Sequence, residues 1–141
     1  MDKTTFINKV IGIPWENRKS DFNSTDCFGL VYLYFMHVHN KEIPLPPGYY
    51  NKKPFEYCWE GYVDKDNWEP INNPIDGSVA FMSYDKDVPA HIGIVINRTQ
   101  VLHCTGNIEK PGTVKIQSIR SIKKYYGQVK FFKRKSTDET S

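Results

Sequence analysis

Between Cys27 and Asn40 the chain carries no Asp, Glu, Lys or Arg, and Leu30, Val31, Leu33, Tyr34, Phe35, Met36 and Val38 fill nearly the whole circumference of a helix. A helix that is apolar all round must be covered all round, so the pattern predicts a central helix from Cys27 to about His39 with the rest of the chain built over it. The uncharged stretch is shorter than the ~20 residues that cross a bilayer, and no membrane span is expected. Just before it stand Asn23, Ser24, Thr25 and Asp26, all helix-capping types. Asp26 or Ser24 is the expected cap, and Asn40 is suited to closing the other end.

The covering layers follow from the remaining pattern. With 141 residues, 39% of them hydrophobic and 14% aromatic, the chain has enough apolar surface for one core, which excludes global disorder. Thr4 to Ile11 places Phe6, Ile7, Val10 and Ile11 on one helical face, ended by Gly12 and Pro14. From Lys41 to Asn73 prolines and scattered aromatics break every period, and loops with one or two short helices are expected. The aromatics from Tyr49 to Trp68 suit either core packing or the wall of a groove.

From Gly77 onward the chain reads as strands at Ser78 to Met82, His91 to Ile96, Val101 to Cys104, Thr113 to Gln117 and Gln128 to Lys133. Turns are expected at Tyr84 to Asp87, Asn97 to Gln100 and Glu109 to Gly112. Helices first and strands afterwards imply an α+β domain, with N-terminal helices packed on a mainly antiparallel sheet of five to six strands. A single domain over 1–135 and a disordered tail over 136–141 are the expected organisation.

Three cysteines at wide spacing form neither a disulfide framework nor a zinc knuckle, so free thiols are expected. The N-terminus lacks a positive cluster followed by an apolar block, so no signal peptide is expected and the chain is read as made in the cytoplasm. Net charge is +3, yet every charge from Lys110 to Lys135 is positive. Without a stacking-aromatic motif this strip reads as a solvated face, and no nucleic-acid partner is expected. His37 and His39 diverge around a helix and do not share a metal, and Cys58 and Cys104 lack metal-like neighbours; no metal and no cofactor are expected.

Cys27 sits where a capping run meets the first turn of an apolar helix. There the helix amides and the positive end of the macrodipole favour a thiolate, and the N–H groups of Cys27 and Phe28 are placed to hold an oxyanion. His91, Gly93 and Val95 share one face of their strand, and Gly93 keeps that face open. His103 lies on the next strand, and the loop between them decides whether the two imidazoles meet. A three-residue loop puts them on the same face; the tight turn at Arg98 and Thr99 separates them unless a bulge restores the register. A cysteine, a histidine and a second polar group of this kind supply a nucleophile, a base and an orienter.

Asp26-Cys27-Phe28-Gly29-Leu30, His91-Ile92-Gly93-Ile94 and Leu102-His103-Cys104 resemble the motifs of the NlpC-type cell-wall cysteine endopeptidases, a compact branch of the papain-like peptidases. Phe28, Trp68-Glu69-Pro70 and the basic end at Phe131 to Arg134 look most like the branch that assembles into phage tail tips. The resemblance implies a cofactor-free papain-like domain that hydrolyses the amide between D-glutamate and the following diamino acid of the peptidoglycan stem peptide. By it Cys27 is the nucleophile, His91 the general base and acid, and His103 the group that orients His91. It also implies substrate contacts at Trp15 and Asp26, although Asp26 equally suits the helix cap. Other tail-tip proteins would be partners, and the protein would pass from the host cytoplasm to the virion tail tip. The family has Tyr followed by glycines where this chain has Trp15-Glu16-Asn17, so the phenol is missing or supplied elsewhere. Two alternatives stay open: a structural tail component that turns over nothing, and a thiol acyltransferase or amidase of the same fold.

Overall fold

The computed structural model describes residues 1–44, 46, 68–84 and 90–135. The expected loops and aromatics over 47–67, Cys58, the turn after Tyr84 and the tail 136–141 lie outside the described residues. Helix α1 spans Lys3–Val10, capped by the Asp2 carboxylate, which accepts from the Thr5 N–H at 2.7 Å. Helix α2 spans Cys27–Val38 and is capped by Asp26. Asn40 follows it in the left-handed region at φ 56°, the conformation asparagine tolerates at a helix end. Phe6 of α1 meets Tyr34 of α2 edge to face, with ring centroids 5.4 Å apart.

The strands are β1 (Trp68–Ile71), β2 (Val79–Ser83), β3 (His91–Asn97), β4 (Gln100–Gly106), β5 (Pro111–Ser118) and β6 (Gln128–Arg134), with helix α3 (Ile119–Tyr126) between the last two. They form one six-stranded sheet in the order β1-β6-β2-β3-β4-β5, antiparallel throughout. Ile92, Ile94, Ile96, Leu102 and Cys104 pack in one core cluster with α2. Ala80, Met82, Val95 and Val101 form a second cluster under Ile119, Ile122 and Tyr126 of α3. The α+β expectation holds, with helices on both faces of the sheet.

Three local readings need correction. Helix α3 falls where no element was expected, although Ser118 caps it by accepting from Ser121 N–H at 3.1 Å and Gly127, at φ +87°, ends it. Ile119, Ile122 and Tyr126 recur at helical spacing, but only eight residues carry the pattern between two strong strands. Strand β1 contains Pro70, which reads as a breaker; it survives because β1 is the edge that, among the described residues, pairs with β6 alone. Pro111 and Gly112 begin β5 rather than ending a turn, since Pro111 pairs with Gly106.

The free edge of β5 is covered by the segment that follows α1. Gly12 and Trp15 donate to the carbonyls of Val114 and Gly112, both at 2.9 Å, and Val114 donates to Ile13 at 3.0 Å. Thr25 then donates to the Pro14 carbonyl at 3.1 Å. The start of α2 is thereby stitched to the sheet through one strip of backbone, which fixes where Cys27 can sit.

Candidate active site

Asp26 builds the α2 tip. One carboxylate oxygen accepts from Gly29 N–H at 2.7 Å and the other from Arg18 N–H at 2.8 Å, and the residue is wholly buried. Both oxygens hold backbone, so Asp26 positions the helix. A Cβ at Gly29 would collide with the Lys19 carbonyl, so the loop closes on this turn only with glycine there. With Gly29 held by Asp26 and Leu30 N–H donating to the Asp26 carbonyl at 3.2 Å, the amides of Cys27 and Phe28 precede the helical ladder.

Cys27 opens α2 and is 2% exposed. The N–H groups of Ile92 and Phe28 face its sulfur and favour the anion, but burial opposes them and pushes the thiol well up, helped by the Asp26 carboxylate. Burial therefore works against the thiolate expected at the helix tip.

The two imidazoles meet. His91 Nε2 and His103 Nδ1 are 2.9 Å apart, in rings whose centroids lie 5.1 Å apart. The turn between their strands is the tight one, with Asn97 opposite Gln100, and a bulge between Val95 and Asn97 shifts the register so that Val95 faces Val101 and Ile94 faces Leu102. That shift returns His91, Gly93 and His103 to one face. A Cβ on Gly93 would lie 3.0 Å from that of His103 and would press into Val101, so the close approach requires glycine.

Burial holds His91 well below the usual histidine range, with His103 and the Lys115 ammonium acting in the same direction. His103 is lowered to about 4 by burial and Lys115, against the opposing hydrogen bond to Gln117. Both rings are therefore neutral near pH 7.

Three residues that the sequence did not assign to the site complete the surroundings. Tyr126 of α3 stacks on His91 with centroids 5.6 Å apart and planes 12° apart. Gln117 Oε1 lies 2.7 Å from His103 Nε2. Lys115 pairs with His103 across β4 and β5. Their side chains reach the site only through the sheet register and the unforeseen helix, so the one available signal was the alternation that puts Lys115 and Gln117 on the same strand face. A cleft of about 680 Å³ is lined by Trp15, His91, Lys110, Lys115, Gln117 and Tyr126 among others. Its described lining holds two ammonium groups and no carboxylate, and Cys27 is not part of that lining.

A cysteine at a buried helix tip, against a strand whose histidine bonds a second histidine on the neighbouring strand, is the arrangement of a papain-like thiol-hydrolase fold. The NlpC/P60 family profile matches residues 14–135, and the chain belongs to that family. Among solved structures, it resembles the NlpC/p60 domain of the peptidoglycan hydrolase SagA at 16% identity and TM-score 0.59, with 92% of each chain covered. It also resembles NlpC1 from Trichomonas vaginalis at 16% identity and TM-score 0.63, covering 92% of this chain and 41% of that one. No curated protein sequence matches the chain.

Proposed function

We propose that the protein is a cysteine endopeptidase that cuts the peptidoglycan stem peptide between D-glutamate and the following diamino acid, and that it acts as part of a phage tail tip. The observation that carries the hydrolase reading is the 2.9 Å His91 to His103 contact beside the α2 tip. His91 Nδ1, outside that bond, takes the Cys27 proton as the sulfur attacks the amide carbon, and the amides of Cys27 and Phe28 stabilise the oxyanion. The proton then passes to the leaving amine as the C–N bond breaks, and water hydrolyses the thioester. A stem peptide carries free carboxylates, and the cleft beside His91 offers Lys110 and Lys115 to meet them.

The tail-tip assignment rests on the resemblance of Phe28, Trp68-Glu69-Pro70 and the basic end at Phe131 to Arg134 to that branch. Digestion of purified sacculi tests the enzymatic reading. Wild type should release stem-peptide fragments with new amino termini at the diamino acid, and Cys27→Ala should release none. One observation favours a second reading, a structural tail component that turns over nothing: the sulfur is 2% exposed, and that burial pushes the thiol up. Absence of product from the wild type, together with failure of iodoacetamide to alkylate Cys27 in the folded protein, would establish that reading instead.

A further inference from the structure

Gln117 stands at the end of a hydrogen-bonded line that runs through both histidines, and the chemistry of each atom in that line is constrained. Its Oε1 has lone pairs and no proton, so the 2.7 Å contact is an acceptor for His103 Nε2–H. A neutral His103 protonated at Nε2 presents a lone pair at Nδ1. At 2.9 Å that lone pair accepts from His91 Nε2–H. A neutral His91 protonated at Nε2 presents its own lone pair at Nδ1, the form a thiol proton needs.

We infer that Gln117 is a positioning residue that sets the tautomers of His103 and His91 in series, leaving His91 Nδ1 unprotonated to receive the Cys27 proton. The catalytic part of this inference rests on the hydrolase reading. The tautomer part does not. An amide at this place differs from a carboxylate in one respect: it fixes the proton positions without adding a negative charge that would hold an imidazolium. Among the described residues, the other groups facing the pair push the same way or are uncharged near pH 7. Lys115 of β5 faces His103, Tyr126 of α3 stacks on His91, and the Cys27 thiol of α2 lies against the start of β3. The imidazolium formed during attack is consequently short-lived and returns its proton to the leaving amine, which favours forward breakdown of the tetrahedral intermediate.

The test uses the full chain labelled with ¹⁵N-histidine, in which long-range proton–nitrogen NMR reads each ring nitrogen directly. Wild type should show both rings protonated at Nε2. Gln117→Leu should lose the single tautomer at His103 and, on sacculi, reduce kcat by roughly 10- to 100-fold with little change in KM, in the range usual for partners that orient a functional imidazole. Gln117→Glu should keep the tautomers and raise the histidine titration midpoint, and with it the acid limb of kcat/KM, by about one to two pH units. Nδ1 protonation of His103 in the wild type, or an unmoved titration in Gln117→Glu, overturns the inference. Because the NMR measurement needs no turnover, inactivity on sacculi defeats the hydrolase reading and leaves the tautomer assignment to be judged by the spectra.

Discussion

Asp26 and the His91–His103 pair are both buried polar groups, and they are satisfied in opposite ways. Asp26 accepts backbone N–H groups on both oxygens, so its hydrogen-bonding capacity goes into local architecture. The histidines bond each other and Gln117, yet among the described residues His91 Nδ1 has no hydrogen bond and the ring borders the cleft. A buried polar group whose valence is used up by backbone is a brace. One whose partners hold it in place but leave an atom unspent is equipped for chemistry.

Substitution separates the two roles. His103→Ala should lower turnover by roughly 10² to 10⁴-fold, the scale at which a base loses its orienting partner, while the melting temperature moves far less than in the cap variant below. Unfolding of His103→Ala would make the pair a brace as well and erase the contrast. Asp26→Ala should do the reverse. Loss of a helix cap and of the acceptor for Arg18 N–H costs about 3 kcal/mol, which a melting curve reads as a drop of roughly 10 °C. An Asp26→Ala protein that melts like the wild type but cannot cut sacculi would restore the substrate contact that its burial argues against.

Acid titration sharpens the same division. His103 has a folded pKa of about 4 against 6.5 for the ordinary group, and His91 is lowered as well. A histidine depressed on folding binds its proton more tightly when unfolded, so it contributes stability above pH 6.5 that is lost as the pH falls toward 4. Denaturant midpoints measured across that window should fall, and His103→Gln should flatten the fall. The smallest effect is expected at the cleft: Lys115→Gln should raise KM on sacculi by about three- to tenfold with kcat nearly kept, and added salt should narrow the difference from wild type.

Some of this was legible in the order of residues. The uncharged run after Asn23 to Asp26 located the central helix, its cap and Cys27 at its first position, because capping and helical periodicity act over a few residues. Alternation over His91 to Ile96 located the strand and the face that carries His91 and Gly93. Helix α3 was obscured because an eight-residue amphipathic pattern between two strands is too short to outweigh them. Its loss from the reading removed Tyr126 from the site.

The sequence by itself determined which residues open the central helix and which alternate along each strand, since those follow from bonds and side-chain directions within one element. Only the tertiary structure decided that a bulge between Val95 and Asn97 turns His103 toward His91, that Gln117 and Lys115 come alongside, and that burial pushes the Cys27 thiol up. Register and desolvation depend on which distant segments pack together, and no local pattern encodes them.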